Sequence, residues 1–303
     1  MNKEDFPLGG LVAVAAFLGC TTLLVAYDAD SQQLTILRAK ADTGDAQAQS
    51  KLADAYFLGS LGLEKNEVEC VKWLRKAAAQ NVANAQLNLG NCYWKGQGMQ
   101  KDVAEAMKWY RKAAEQNVPE AQYNLGAGYR DGQGVPQDQG EMVKWYRRAA
   151  DQNYADAQYN LGVCYANGQG VTTNCVEAVK WFRRAAEQNH AQAQYNLGNN
   201  YVRGQGVETD EVEGVKWLRK AAEQDLADAQ YKLGLCLAFG RGAAQNYVEA
   251  YAWFRLAARS VESATKLLDD LGKAMSPEQI ATGYRRTKQL RAEIEAHLKS
   301  SGN

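Results

Sequence analysis

Six of the chain's 7 tryptophans, Trp73, Trp109, Trp145, Trp181, Trp217 and Trp253, stand exactly one interval of 36 residues apart. A fixed period of this length signals a structural unit copied in tandem, each copy stacked on its neighbours. The alanine pairs from Ala77-Ala78 to Ala257-Ala258 keep the same interval. So do Ala85-Gln86, Ala121-Gln122, Ala157-Gln158, Ala193-Gln194 and Ala229-Gln230, while Ala48-Gln49 is one residue out of phase. The extra residue falls in Gly59-Ser60-Leu61-Gly62, where the next unit has Gly96-Gln97-Gly98. Insertion at a turn leaves the packed elements intact.

The fourth unit shows what is being copied. Ala157, Leu161 and Tyr165 are four residues apart and define one face of a first helix, helix A. Gly168-Gln169-Gly170 ends it, because glycine accepts the left-handed conformation that closes a helix. Val176, Val179, Phe182 and Ala186 then recur at helical steps, with Lys180, Arg183, Arg184 and Glu187 on the other side, and define helix B. The short polar link Gln188-Asn189-His190 predicts an antiparallel neighbour. The expected fold is therefore all-α: a right-handed α-α superhelix, or solenoid, of six helix-turn-helix repeats.

Gly90, Gly126, Gly162, Gly198 and Gly234 fall in the middle of helix A, where glycine costs about 1 kcal/mol relative to alanine. A cost repeated five times implies a steric requirement, and helix B is expected to cross there against bare backbone. The six serial tryptophans are expected to fill the wider gaps of the core, each contributing about 1.5–3 kcal/mol on burial.

The pattern Ala-Gln-Tyr-Asn-Leu-Gly-x-x-Tyr-x-x-Gly-x-Gly-Val, followed by Glu-Ala-Val-Lys-Trp-x-Arg-x-Ala-Ala-Glu-Gln, resembles the Sel1-like repeat, a relative of the tetratricopeptide repeat. The resemblance runs from about Asp45 to Ser260. It implies a solenoid that acts as an adaptor in protein complexes, often at bacterial envelopes or in signalling pathways, without catalysis of its own. The last unit departs from the pattern, with Leu237 in place of Tyr and Ala252 in place of Lys. Ser276-Pro277-Glu278-Gln279 then reads as a capping box opening a further helix, with Ile280, Tyr284, Thr287, Ile294 and Leu298 as its inner face. Residues 34–43 look like an isolated second helix that caps the first repeat.

Between Asp5 and Asp28 lie 22 residues without charge, enough to span a bilayer. Three fates fit: a retained anchor, a cleaved signal, or a lipoprotein signal in which Leu18-Gly19-Cys20 places Cys20 for lipidation. The chain is thus read as a short tail (1–5), a membrane anchor or signal (6–27), a linker and N-terminal capping helix (28–44), six repeats (45–260) and C-terminal capping helices (261–303). The resemblance implies an envelope protein whose repeat domain lies outside the cytoplasm.

Little in the sequence points to chemistry. Lys plus Arg and Asp plus Glu both count 35 and are interspersed, which is not the profile of a nucleic-acid-binding protein. His190 and His297 have no zinc-ligand spacing around them, so neither metal nor cofactor is expected. The Gly-x-Gly turns follow helices and lack the Lys-Ser/Thr ending of a phosphate loop. Asp102, Glu105, Asp138 and Glu177 recur near helix-B starts, where carboxylates favour the helix dipole. Cys92, Cys164 and Cys236 share one helix-A position and stand too far apart to pair, which leaves Cys164 and Cys175 as the pair able to approach.

Function is expected where the repeats differ. At the end of helix A the chain offers Trp94, Arg130, Asn167 and Arg203, residues placed to contact a protein or peptide on the concave face. The reading is a non-catalytic, membrane-associated scaffold. The alternative is a cell-envelope enzyme, or enzyme regulator, acting on peptidoglycan or related glycans.

Overall fold

Glycine in a left-handed conformation closes every helix A, and asparagine or aspartate in the same conformation follows every helix B that is joined to another repeat. The computed structural model describes residues 30–300, and every regular element among them is helical. Helix α1 covers residues 30–42. The A helices are α2 (Ala46–Leu58), α4 (Ala83–Lys95), α6 (Pro119–Asp131), α8 (Ala155–Asn167), α10 (Ala191–Arg203) and α12 (Ala227–Phe239). The B helices are α3 (Glu67–Ala79), α5 (Val103–Glu115), α7 (Gln139–Asp151), α9 (Cys175–Glu187), α11 (Glu211–Ala222) and α13 (Tyr247–Ala257). Two further helices, α14 (Glu262–Ala274) and α15 (Pro277–Ser300), end the described chain. The structure divides into two units, Met1–Pro136 and Gln137–Asn303, and within each the hairpins stack as an α-solenoid. Residues 6–27 and Cys20 lie outside the described residues. No helix among the described residues is long and apolar enough to cross a membrane.

The helix ends are closed by the residues that recur. Each helix B begins at an Asn or Asp side chain that accepts the backbone N–H three residues on, as Asp102 does from Glu105 at 2.9 Å. The carboxylates singled out near these starts are therefore caps or first-turn residues. At the other end of α3, Asn81 adopts φ 66°, and the N–H groups of Asn81 and Val82 donate to Ala78 and Ala77. This is a Schellman closure, repeated at Asn117, Asn153 and Asn189. The second glycine of the A-to-B turn answers a different need. A Cβ on Gly98 would lie 2.2 Å from the Glu67 carbonyl oxygen, so this turn presses on the start of the preceding helix B.

The glycines inside helix A face helix B, as expected, and at Gly90, Gly162 and Gly234 what meets them is an aromatic ring. A Cβ on Gly90 would stand 2.7 Å from the Tyr110 ring, and on Gly162 or Gly234 2.7 Å from the rings of Phe182 or Phe254. The residue after the tryptophan thus lays its ring on bare backbone. The first hairpin puts Ala53 and Leu74 in this register, trading a methyl group for a smaller partner. The tryptophans pack less uniformly than expected: Trp73, Trp145, Trp181 and Trp253 are buried, whereas Trp109 and Trp217 are only half-buried. Five of these indoles carry a cation one turn later, with Lys112 Nζ 3.9 Å from the Trp109 ring centre and Arg184 4.6 Å from that of Trp181.

Successive repeats are joined through a buried amide. Gln194 Nε2 donates to the Ala186 carbonyl at 3.1 Å and to Asn189 Oδ1 at 3.1 Å, and its Oε1 accepts from Gln224 at 2.7 Å. Gln86 and Gln158 do the same with Ala78, Asn81 and Gln116, and with Ala150, Asn153 and Gln188. Gln49 donates to Ala41 of α1 at 3.0 Å, so α1 stands to α2 as a helix B stands to the next helix A.

The last repeat is covered by α15. Ser276 and Gln279 form the reciprocal capping box, with bonds of 2.8 and 3.2 Å. Gly283 packs on Tyr251, and Arg286 grips Glu249 of α13 at 2.9 Å. Leu290, Thr287 and Ile294 supply the buried face, but Tyr284 is 44% exposed because it turns outward, edge-on to Tyr251 and under Arg255. Val176 likewise leaves its expected inner face. It is 52% exposed in the first turn of α9, as are its counterparts Val68 and Val212 in α3 and α11.

Three substitutions test this packing. Gly162→Ala is expected to lower stability although alanine is the better helix former by about 1 kcal/mol, since forcing a methyl group against Phe182 costs about 1–3 kcal/mol. Adding Phe182→Leu should recover part of the loss, a coupling read from denaturation midpoints of the two single variants and the double. Gln194→Leu should lower stability by about 1–3 kcal/mol by removing the buried amide that links the Ala186 carbonyl, Asn189 and Gln224, measured by chemical denaturation.

Candidate functional site

Two neighbouring A helices leave a groove whose floor is the helix-B residue that follows the tryptophan. In the first unit such a groove, about 280 Å³ in volume, lies between α4 and α6 over Tyr110. In the second unit one of about 300 Å³ lies between α10 and α12 over Leu218. They occupy the same place in the repeat, 108 residues apart. Asn91 corresponds to Asn199, Trp94 to Val202, Lys95 to Arg203, Asn124 to Lys232 and Ala127 to Leu235. The architecture fixes where the groove is, and the variable residues set its chemistry.

The two grooves differ in shape and charge. Tyr110 donates its hydroxyl to Asn91 Oδ1 at 2.7 Å, and burial raises the pKa of that hydroxyl, so the first floor is a neutral aromatic ring with a polar edge. Trp94 forms one wall, and Lys95 and Glu120 provide one charge of each sign. The second floor is aliphatic. Around it stand Arg203, Lys232 and Arg241, with Phe239 66% exposed at the rim. Burial pushes the Cys236 thiol up, so it lines this groove as a neutral, apolar group.

Of the four residues proposed from sequence as partner contacts, Trp94 and Arg203 line these grooves. Arg130 folds onto its neighbour Asp131, with Nε and Nη2 bonds of 2.8 and 2.9 Å, and holds that carboxyl below its usual range. Asn167 is the exposed last residue of α8 and lines neither groove. The opposite walls, Asn124 and Ala127 or Lys232 and Leu235, escaped notice because they lie a turn or more before the helix-A end on which the search for variability centred. Leu218 carried a legible signal, since the residue after the tryptophan is Tyr110, Tyr146, Phe182 and Phe254 in four other units.

The surface beside the grooves is held by a second ladder. Arg75, Arg147 and Arg183 of the B helices donate to the hydroxyls of Tyr93, Tyr165 and Tyr201 on the next A helices, and Arg111 does so to Tyr129. At the next step Leu237 replaces tyrosine and is buried, so Arg219 has no hydroxyl to meet.

The remaining reactive side chains have structural roles. His190 caps α10 by accepting the Ala193 N–H at Nδ1, stacks on Tyr159 at 4.7 Å, and points Nε2 at Asp156 at 3.3 Å, which lowers that carboxyl's pKa. Among the described residues no three His, Cys, Asp or Glu side chains gather as a metal site. None of the five described cysteines forms a disulfide. Cys164 is buried and Cys175 exposed, and the thiols that meet are instead Cys70 and Cys92, where hydrogen bonding to Cys92 and burial push the Cys70 thiol up.

Comparison with known proteins agrees with this architecture. The Sel1 repeat matches six consecutive segments, residues 46–82, 83–118, 119–154, 155–190, 191–226 and 227–260. No curated protein sequence matches the chain. Among solved structures, a protective antigen of uropathogenic Escherichia coli with an SLR fold is similar at 33% identity and a TM-score of 0.79, over 89% of this chain and 59% of the antigen. The chain therefore spans under two thirds of that antigen's length. A Sel1 repeat protein from Oxalobacter formigenes is similar at 32% identity and a TM-score of 0.70, over 80% of this chain and 99% of its own. Six matched repeats and two structures of this likeness establish that the chain belongs to the Sel1 repeat family.

Proposed function

We propose that this chain is a non-catalytic scaffold that binds a protein or peptide along the exposed, concave side of its A helices, tethered to or directed across a membrane by residues 6–27. Sel1 repeat proteins are generally protein-interaction scaffolds. The observation that carries the reading is the pair of equivalent grooves. Side chains that pack the hairpins repeat from unit to unit, while the groove walls change from Trp94, Asn124 and Ala127 to Val202, Lys232 and Leu235. Variation along a solvent-facing register suits recognition of an extended partner. The 22 uncharged residues between Asp5 and Asp28 support membrane targeting, and with it a bacterial-envelope location with the repeats outside the cytoplasm.

The enzymatic alternative would draw support from a suitable acid pair, and the cavity beside α1 and α2 does not supply one. That cavity, of about 510 Å³, contains Asp45 and Asp54. Asp45 caps α2 at 2.7 Å, and its position and that of Asp54 are offset by about 13 Å along the helix axis. Glycoside hydrolysis needs a separation of about 5–10 Å.

A photo-crosslinking amino acid at position 94 or 203 of the full chain is expected to capture a discrete partner in cells, and one at Lys72, on the outer side of α3, is not. Trp94→Ala and Arg203→Gln should each weaken that complex at least tenfold, as anchor residues do when the loss exceeds about 1.4 kcal/mol. Equal capture from position 72, or affinity indifferent to both substitutions, would place the interface elsewhere.

A further inference from the structure

The second unit's groove is built for a narrower class of ligand than a general protein surface. Its floor is a departure from the repeat, because Leu218 lies against Gly198 where the preceding unit sets the Phe182 ring against Gly162. Gly214 also replaces the alanine found at Ala106, Ala178 and Ala250, and a Cβ on it would lie 2.9 Å from the Gly198 carbonyl oxygen. The hairpin closes on itself, with Val202 packed against Gly214 at the edge of the groove and Leu235 on its opposite wall. Arg203 from α10, Lys232 from α12 and Arg241 from the following turn surround this aliphatic floor. None of the three forms an ion pair among the described residues, and no carboxylate lines the groove. Glu211, whose charge reaches Cys236, is not part of the lining. Arg75 and Arg183, by contrast, are engaged by tyrosine hydroxyls, and Lys72, Lys108, Lys144, Lys180 and Lys216 by glutamates one turn away.

Resting on the reading of the chain as a protein-binding scaffold, we infer that this groove takes the C-terminal residue of a partner polypeptide, its aliphatic side chain over Leu218 and its free carboxylate among Arg203, Lys232 and Arg241. A chain terminus carries an apolar branch and a full negative charge on one Cα. In an extended internal segment, adjacent side chains point to opposite faces, so an acidic residue beside an aliphatic one turns its charge away from the shared pocket. The volume of about 300 Å³, that of roughly ten waters, suits one such residue rather than a strand passing through. Arginine adds a planar fork that matches a carboxylate.

Methyl-labelled full-length protein titrated with N-acetyl-Ala-Leu as the free acid is expected to show saturable shifts at Val202, Leu218 and Leu235 and none at Leu89 or Leu125 of the first unit. The C-terminal amide of the same dipeptide should bind at least tenfold more weakly. The double variant Arg203→Gln/Arg241→Gln, which changes two solvent-facing charges and no packing, should lose affinity for the free acid to the same degree. Absence of shifts at the three methyls, equal affinity for acid and amide, or indifference to the double variant would overturn the assignment. So would equal binding of N-acetyl-Leu-Asp-amide, which would make an internal acidic segment the occupant. Each of those outcomes leaves the scaffold reading intact if position 94 still captures a partner. Failed capture at 94 and 203 beside normal dipeptide binding would sink the scaffold reading alone.

Discussion

A glutamine amide shut away from water joins repeats within each unit. At Gln86, Gln158 and Gln194 it donates to the last turn of the helix B before it and accepts from the glutamine at the end of the helix B after it, as Gln194 does between Ala186 and Gln224. Burying an amide is unfavourable unless its hydrogen bonds are met, and here only one placement of the neighbouring hairpins meets them. The bond therefore sets register as well as contributing affinity between repeats. Packing adds the second constraint. Rings on helix B need bare backbone on helix A, and small alanines let the next hairpin approach closely.

These two constraints leave different traces in the sequence. The period of the tryptophans and the glycine punctuation made the helical hairpins legible, because both act locally and each copy reinforces the others. The glycines at 90, 162 and 234 were legible as steric requirements, but what they accommodate was not. The answer lies in the residue following each tryptophan, on the other helix of the hairpin. The Ala-Gln series was visible as a repeat, yet its meaning depends on which carbonyl faces it across an interface, which periodicity does not report. Helical periodicity also misplaced Val176 and Tyr284, which share the phase of buried neighbours but sit at a helix start and beside an outward-turned ring cluster. The thiol contact between Cys70 and Cys92 joins helices of different repeats, and no spacing rule links them.

The site was half legible for a related reason. Trp94 and Arg203 stood out because they differ from their counterparts at the end of helix A. Lys232, Leu235 and Arg241 belong to the next repeat, and a groove is a property of two repeats at once. Leu218 shows how the fold and the site trade against each other. The residue chosen for the floor of the second groove decides how close α10 and α11 lie. The volume of the recess changes little between the two floors, about 280 Å³ over Tyr110 and about 300 Å³ over Leu218, so what distinguishes the second groove is its aliphatic floor and its ring of positive charge.

The helix α15 has a consequence beyond completing a hydrophobic core. A stacked array presents at its end the same face it uses internally, and a second molecule offering its own first hairpin could add to that face head to tail, without closure, into a fibre. By seating Gly283 on Tyr251 and Arg286 on Glu249, α15 occupies the face of α13 that such growth would need. Helix α15 thereby keeps that stacking face of α13 from a second molecule.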